Sequence, residues 1–254
     1  MKTAQQKEPK IPPLFIVESL EAGQENVSLP TPEAAHAIKV RRLRVGNPIH
    51  VTNGTGLLGE AIITSVESKP KSVVARLLNT VQRPASKVRL TLATAMPKGE
   101  RQSILLDMAT QLGVNTFVPL DCDFSVVRFQ DKMRDRWLRI IHSACKQTRQ
   151  LYLPEVKPSM TVGSLLQDSD RRTLVLYGDQ HGESIYQIAQ GIMSSVDHIL
   201  LMTGPEGGFS EAEQALLSAH PGTESLCASD LILRTETAAA ALVTLAAQLK
   251  RQVS

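Results

Sequence analysis

A glycine-rich segment near the C-terminus carries the residues best suited to hold a small ligand. Residues 202–211 read Met-Thr-Gly-Pro-Glu-Gly-Gly-Phe-Ser-Glu. Gly204, Gly207 and Gly208 let the backbone turn sharply and approach a ligand closely, because glycine has no Cβ. The segment lacks the Gly-Lys-Ser/Thr ending of a P-loop and the G-x-G-x-x-G spacing of a dinucleotide site. On its own, the pattern is equally typical of a structural turn.

This glycine-rich loop joins a strand to a helix. His198–Met202 is a continuous apolar run after its first residue, which is the pattern of a buried parallel strand. After the glycines, Ser210 is the expected helix N-cap, and Glu213 completes a capping box three residues later. The sequence therefore predicts that a strand end leads through the glycines into a helix.

A second loop with charged residues follows in the same arrangement. Residues 233–238 read Leu-Arg-Thr-Glu-Thr-Ala; they come after the apolar residues 231–233 and precede an alanine-rich helix expected from Ala238 to about Leu249. Ligand sites in open α/β sheets lie beyond the carboxyl ends of the strands, where two such loops can converge. The pair of loops favours a binding site over two unrelated turns.

The two loops, in this order, resemble those of the 16S ribosomal RNA uridine-N3 methyltransferases of the SPOUT class, often called the RsmE family. The resemblance extends to residues 95–101, 109–114 and 153–155, and so covers most of residues 88–250. It implies S-adenosylmethionine as cofactor, a trefoil knot at the C-terminus, a homodimer, and the ribosomal RNA of the 30S subunit as partner. The chain departs from the family pattern at residues 108–113, 146–150 and 228–231.

The resemblance also implies which residues hold the cofactor, chiefly through the backbone of the two loops. The expected contacts are Leu176, Gly178, Met202, Thr203, Gly204, Pro205, Glu206, Gly207, Gly208, Ala228, Ser229, Leu233, Arg234, Thr235 and Ala238.

Three charged residues are candidates for the chemistry of uracil methylation. The N3 proton must leave, and the resulting anionic ring must be stabilised. Arg234 is the candidate for stabilisation, because its guanidinium stays charged and offers a planar fork of donors. Glu206 or Glu236 could receive the proton, directly or through water. The alternatives are a salt bridge from Arg234 to either carboxylate, and carboxylates that serve only the dipoles of helix N-termini.

Basic residues supply candidate RNA contacts, although the formal net charge is only +3. Lys39, Arg41, Arg42 and Arg44 fall within six positions with no acidic residue among them, which suits a track for phosphates. Lys98 and Arg101 are further candidates, within a looser set that adds Arg134, Arg136, Arg139, Lys146 and Arg149. Five Phe, three Tyr and one Trp are too few for stacking on several bases to drive recognition.

The N-terminal third predicts a small β-barrel, for which the resemblance implies a PUA-like RNA-binding domain over residues 11–82. Residues 1–10 have the composition of a disordered tail, and a linker is expected at residues 81–86. Asn53-Gly54 is a hairpin signal, and Thr31 with Pro32 predicts a helix that has Thr31 as its N-cap. The predicted strands are Leu14–Val17, Pro48–Thr52, Leu57–Val66 and Ser72–Leu78.

Residues 88–254 alternate between strand and helix patterns, which predicts a parallel sheet covered by helices. The predicted strands are Val88–Ala95, Thr116–Leu120, Thr173–Tyr177, His198–Met202 and Ser225–Ala228. A helix near residues 101–112 is expected to bury Ile104, Leu105, Met108, Ala109 and Leu112. The next helix is expected to bury Trp137, Ile140, Ile141, Ala144 and Cys145.

Cysteine usage and hydropathy exclude several protein classes. Cys122, Cys145 and Cys227 are widely spaced, which disfavours a disulfide framework and a zinc site, and we expect no metal. No signal-peptide pattern and no apolar run of membrane-spanning length are present, so we expect a cytoplasmic protein without a membrane partner. Two alternatives remain for function: a knotted methyltransferase acting on a ribose 2′-hydroxyl, and a non-catalytic RNA-binding or ribosome-assembly protein.

Overall fold

The structure is a computed structural model that describes residues 11–192 and 196–253. The predicted tail, residues 1–10, lies outside the described residues. The chain forms two compact units: the first ends at Ala85 and also contains Lys146–Tyr152, and the second comprises Ser86–Cys145 and the chain from Leu153 onward.

The first unit is a five-stranded sheet with one helix, in the strand order β1-β3-β4-β5-β2. Strands β3, β4 and β5 form an antiparallel meander, whereas β1 pairs with β3 in parallel. Phe15, Ile49 and Ile63 are among the fully buried side chains of its core. The elements are β1 (Leu14–Ile16), β2 (Asn26–Ser28), α1 (Thr31–Lys39), β3 (Pro48–Thr52), β4 (Leu57–Ser68) and β5 (Lys71–Gln82).

The four predicted strands of this unit are present, but one local prediction was wrong and one strand was missed. Helix α1 has Pro30, not Thr31, as its N-cap; the Pro30 carbonyl accepts the first helical hydrogen bond from Ala34, and no side chain caps the helix. Strand β2 was not predicted, because only Val27 of its three residues is buried and no alternation can be read from so short a segment. The hairpin at Asn53 is confirmed: its side-chain oxygen accepts hydrogen bonds from the backbone N–H groups of Thr55 and Leu57.

Two residues of the looser basic set make structural contacts within the first unit. The Lys146 ammonium lies 2.6 Å from a carboxylate oxygen of Glu33, and both side chains are largely buried. Arg149 donates hydrogen bonds to the Pro12 carbonyl, at 2.8 Å, and to the ring of His50. Burial and the charge of Arg149 lower the pKa of His50. Lys146 and Arg149 are therefore used internally, which corrects the prediction that they contact RNA.

The second unit contains the predicted parallel sheet, with six strands in the order β11-β9-β10-β6-β7-β8. Every pairing in it is parallel. The strands are β6 (Arg89–Thr94), β7 (Thr116–Pro119), β8 (Glu155–Val156), β9 (Thr173–Glu183), β10 (His198–Thr203) and β11 (Thr223–Leu226). The helices are α2 (Arg101–Gln111), α3 (Arg134–Thr148), α4 (Val162–Gln167), α5 (Ile185–Gly191), α6 (Glu211–Ala219) and α7 (Thr235–Val253), with a 3-10 turn at Asp131–Met133.

Helix α2 packs on the sheet through a different face from the one predicted. Ile104 leaves 48% of its surface exposed, whereas its neighbour Leu105 is 1% exposed. The buried residues are Gln102, Leu105, Leu106, Ala109 and Thr110. Two of these buried residues, Gln102 and Thr110, are polar. The spacing of the apolar residues alone therefore indicated the wrong buried face. For α3 the prediction is confirmed at Trp137, Ile141, Ala144 and Cys145.

The apolar residues 231–233 do not form a strand. Leu231 and Ile232 are 74% and 90% exposed, and the strand of this region is β11, which ends at Leu226. A long loop, Cys227–Arg234, therefore leads to α7, which begins at Thr235 rather than at Ala238. The trefoil knot, in which the C-terminal segment would pass through a loop, stays a prediction.

Strand β9 extends beyond the predicted Tyr177 and brings more backbone to the same edge of the sheet. Its residue Glu183 pairs with Leu226 after a register shift in the ladder. Gly182 permits this approach, because a Cβ at that position would lie 2.7 Å from the backbone carbon of Ser225. The carboxyl ends of β9 and β11 are thereby held side by side.

Candidate functional site

A cleft of about 280 Å³ opens at the carboxyl ends of β9, β10 and β11. This is the edge at which parallel α/β sheets bind ligands. All of its lining residues belong to the second unit. They are Tyr177, Gly178, Asp179, Gln180, Thr203, Gly204, Pro205, Glu206, Gly208, Phe209, Gln214, Leu226, Ala228, Ser229, Leu231, Ile232, Leu233, Thr235, Ala238 and Leu242.

The glycine-rich loop forms one wall of the cleft and has the predicted capping box at its end. The Ser210 side chain accepts a hydrogen bond from the Glu213 backbone N–H, and the Glu213 carboxylate accepts one from the Ser210 N–H at 2.8 Å. Gly208 has a φ of +75°, in the left-handed region that favours glycine, and its N–H donates to the Pro205 carbonyl. The turn is therefore fixed by its own sequence.

The loop that follows β7 supports the glycine-rich loop from the other side. Asp123 accepts a hydrogen bond from the Ser210 hydroxyl at 2.6 Å, and its backbone N–H donates to Glu213 at 3.1 Å. A Cβ on Gly207 would lie 3.3 Å from Cβ of Phe124, so a side chain there would require Phe124 to shift by a few tenths of an ångström. Burial, with the nearby Glu213 carboxylate, raises the pKa of the Cys122 thiol to about 12, so this cysteine is not a nucleophile.

The long loop Cys227–Arg234 forms the opposite wall and is tied to the end of β9. Gln180 donates a side-chain hydrogen bond to the Asp230 carbonyl at 3.1 Å, and the Cys227 N–H donates to the Glu183 carbonyl at 2.9 Å. Within the loop, the Ser229 hydroxyl accepts from the Leu231 N–H. The backbone around Ala228 and Ser229 is thus held at the cleft.

Most of the residues predicted to hold a cofactor line this cleft. They are Gly178, Thr203, Gly204, Pro205, Glu206, Gly208, Ala228, Ser229, Leu233, Thr235 and Ala238. The side chains of Leu176 and Met202 are fully buried in the core, and Gly207 faces Phe124. Arg234 is exposed beside the lining residues Leu233 and Thr235.

The sequence interpretation missed several lining residues, among them Asp179 and Gln180 of β9 and Leu242 of α7. Asp179 and Gln180 follow the buried part of β9 at the same edge of the sheet, and that position was a usable signal. Leu242 lies two turns into α7, and its methyl group would be 2.6 Å from a Cβ on Gly178. Only the packing of α7 on the sheet shows that this leucine reaches the cleft.

Arg101 lies between the two carboxylates proposed for catalysis. Its Nη1 is 3.9 Å from an oxygen of Glu206, and its Nε is 3.8 Å from Oε1 of Glu236. Within residues 11–192 and 196–253, Glu206 and Glu236 form ion pairs with Arg101, and no ion pair includes Arg234. The alternative in which Arg234 merely forms a salt bridge to Glu206 or Glu236 is therefore wrong, and Arg101 occupies that place.

Glu236 differs from Glu206 in its surroundings. The side chain of Glu206 is 50% exposed, whereas that of Glu236 is 11% exposed. Oε2 of Glu236 is buried and has no hydrogen-bond partner among the described residues. A buried carboxylate oxygen normally accepts hydrogen bonds, and the described residues supply no donor for this atom.

The other predicted RNA contacts are exposed cations. Lys39, Arg41, Arg42 and Arg44 lie at the end of α1 and in the turn after it, in the first unit. Arg42 has a φ of +53°, which is uncommon for a residue other than glycine. Lys98 is exposed in the loop between β6 and α2 of the second unit.

The described residues contain no group of three or more His, Cys, Asp or Glu side chains arranged to hold a metal ion. They also include no helix long and apolar enough to cross a membrane.

A parallel sheet with a glycine-lined cleft at its carboxyl edge defines an α/β domain that binds a small ligand, and here a small β-rich unit accompanies it. Comparison with known proteins agrees with this class. The family described as RNA methyltransferase domain matches residues 84–247, and the family described as RNA methyltransferase PUA domain matches residues 29–77. The chain belongs to the RNA methyltransferase family that includes the ribosomal RNA small subunit methyltransferases E.

Individual relatives match along most of their length. The ribosomal RNA small subunit methyltransferase E of Rickettsia conorii is 30% identical over 225 residues, which cover 86% of this chain and 88% of the relative. The protein of that name from Bacillus subtilis is 29% identical, with coverage of 81% and 83%. The crystal structure of the Neisseria gonorrhoeae methyltransferase E bound to S-adenosyl methionine superposes with a TM-score of 0.81 at 27% identity, covering 92% of this chain and 95% of that one.

Proposed function

We propose that this protein is an S-adenosylmethionine-dependent methyltransferase that methylates N3 of a uridine in 16S ribosomal RNA. The main observation in support of this proposal is the cleft at the carboxyl ends of β9, β10 and β11, which is lined by residues of both predicted loops. Family membership supports the reaction class, and a relative solved with S-adenosyl methionine supports the cofactor. Action on ribosomal subunits would place the protein in the cytoplasm.

The residues of the cleft fit this cofactor. Gly204 packs against its own turn, where a Cβ would make ordinary van der Waals contact, at 3.4 Å, with the backbone of Gly208 and with the Phe209 ring. Leu226, Leu233 and Leu242 supply apolar surface for an adenine ring. Backbone groups of the two loops supply the polar contacts. When bound, the cofactor supplies an electrophilic methyl group, and this chemistry needs no metal.

The charged residues beside the cleft would accept the N3 proton of the uracil ring and stabilise the resulting negative charge. Arg234 is exposed next to lining residues and enters no ion pair among the described parts of the chain, so its guanidinium is available to an anionic ring. Glu206 or Glu236 would take the N3 proton. Stabilising charge as it develops is the largest contribution that such a site makes to rate.

The exposed cations of the first unit would hold RNA by its phosphates. We expect Arg41→Ala combined with Arg42→Ala to weaken RNA binding and to lower the salt dependence, log Kd against log salt concentration, by roughly 0.7 to 0.9 for each lost contact. Titrations of ribosomal RNA at several salt concentrations measure this slope. Arg76→Ala, on the exposed side of β5, is the matched control. A slope unchanged in the double variant would show that these cations only face solvent.

We also propose that the working form is a homodimer. Leu231 and Ile232 line the cleft and yet are 74% and 90% exposed. Large apolar side chains at the rim of a binding site suit coverage by a second copy of the chain. Light scattering should give twice the 27.7 kDa mass of one chain.

Transfer of a labelled methyl group tests the reaction class directly. Purified protein, S-adenosylmethionine labelled in its methyl group, and 30S subunits from a strain lacking this protein are incubated with a metal chelator sufficient to remove traces but not to dissociate the subunits. We expect label in 16S RNA and none in 50S subunits treated in the same way. Label that appears only after a transition metal is restored would contradict the metal-free mechanism. Absence of label under both conditions would favour a non-catalytic RNA-binding protein.

A further inference from the structure

We propose that Glu236, positioned by Arg101, is the residue that accepts the N3 proton, and that Glu206 is not. This inference rests on the proposed function and deepens it. It assigns the role of proton acceptor to one of the two candidate carboxylates. It also gives a positioning role to Arg101, which the sequence had indicated only as an RNA contact. The observation that points to it is the buried Oε2 of Glu236, which has no hydrogen-bond partner among the described residues.

The first step of the argument concerns where Glu236 is fixed. It lies in the first turn of α7, directly after Thr235, which lines the cleft, and it exposes only 8% of its surface. Its carboxylate is therefore held by the start of a 19-residue helix packed on the sheet. By contrast, Glu206 sits in the glycine-rich loop with half of its side chain in solvent.

The second step concerns how the two oxygens of Glu236 differ. Arg101 approaches Oε1, with its Nε at 3.8 Å, and leaves Oε2 unpaired. The same guanidinium reaches Glu206 through Nη1, at 3.9 Å. Because Arg101 is the first residue of α2, it connects the loop after β6 with the loops after β10 and β11. One oxygen of Glu236 thus lies next to a cation, whereas the other is buried without a hydrogen-bond partner among the described residues.

The third step is the balance of the transfer. As the bond from N3 to the methyl carbon forms, the bond from sulfur to that carbon breaks, and its electron pair stays on sulfur. The N3 proton moves to Oε2 of Glu236, which becomes a neutral carboxylic acid. One positive charge on sulfur and one negative charge on Glu236 are lost together. A buried site favours such a neutralisation, because neither product charge has to be solvated.

The test replaces each carboxylate by its neutral isostere. Glu236→Gln is expected to slow single-turnover methyl transfer by about 10²- to 10⁴-fold, the usual contribution of a positioned base. Glu206→Gln should have a smaller effect. Glu211→Gln, an exposed glutamate in the first turn of α6, is the matched control. Two readouts besides activity accompany the rates, namely the dissociation constant of S-adenosylmethionine by calorimetry and the melting temperature, and both should stay near the wild-type values in Glu236→Gln.

Arg101 is tested as a positioning residue by a pair of substitutions. Arg101→Lys should restore a substantial part of the rate that Arg101→Gln loses, because an ammonium can still orient Oε1 of Glu236.

The outcomes separate this inference from the proposed function. If the wild-type protein transfers no methyl group to RNA, the proposed function fails. If the wild-type protein does transfer methyl groups, two results would overturn this inference and leave the proposed function standing. One is a lower single-turnover rate in Glu206→Gln than in Glu236→Gln. The other is a loss of rate in Glu236→Gln that a lower melting temperature of that variant accounts for.

Discussion

Replacing Arg234 by lysine should slow methyl transfer by on the order of a hundredfold or more, equivalent to about 3 kcal/mol of transition-state stabilisation. Lysine keeps the positive charge but loses the planar fork of donors that can meet the uracil oxygens. The loss should appear in the rate at saturating cofactor and RNA, because a contact made only in the transition state does not alter ground-state binding. Single-turnover kinetics measure it.

The structure offers a matched control for this variant. Arg251 is exposed near the other end of the same helix, α7, so Arg251→Lys makes the identical chemical change away from the cleft. Its rate should equal that of the wild-type protein. A normal rate in Arg234→Lys, together with a depressed melting temperature, would remove Arg234 from the catalytic residues and make it a structural residue at the start of α7.

The second large effect concerns stability, and it compares two neighbours in α2. Leu105→Ala should lower the free energy of unfolding by about 2–5 kcal/mol, because a fully buried leucine leaves a cavity when truncated. Ile104→Ala should change it by only about 0.5 kcal/mol, because Ile104 is 48% exposed. Trp137 is the single tryptophan and is buried in the same unit, so its fluorescence follows the denaturant titration. Equal losses for the two variants would contradict the face of α2 described above.

Helix α2 also shows what apolar spacing can and cannot predict. The helix was predicted at nearly its true bounds, because its apolar residues recur with the helical period. Its buried face was misassigned by about one position, because Gln102 and Thr110 are buried and Ile104 is not. The Thr110 hydroxyl donates to the Leu106 carbonyl at 2.7 Å, which satisfies it inside the helix. A polar residue satisfied by its own helix gives no sign of burial in the sequence.

The residues 231–233 show the converse error. Their apolar character indicated a strand, yet this segment is an exposed part of the loop between β11 and α7. Apolar residues are buried when a neighbour covers them, and a single sequence does not say whether that neighbour is a strand of the sheet, a ligand or a second chain. The glycine-rich loop was predicted correctly as a strand-to-helix connection, because glycine spacing and capping residues are local signals.

The charged part of the site lay beyond local signals altogether. Arg101 is 105 residues before Glu206 and 135 before Glu236 in the chain, and only the parallel order of the sheet brings the three together. Its basic character alone favoured an RNA contact. Spatial neighbours that are distant in sequence can be assigned only once the strand order is known.

The position of the methyl group on the nucleotide tests the central claim most directly. The purified protein is incubated with S-adenosylmethionine and 30S subunits from a strain that lacks this protein. The 16S RNA is then extracted, digested to nucleosides and analysed by mass spectrometry against synthetic standards. We predict that 3-methyluridine, absent before treatment, appears in 16S RNA at close to one per molecule. A 2′-O-methylated nucleoside in its place, or no new methylated nucleoside, would contradict the account.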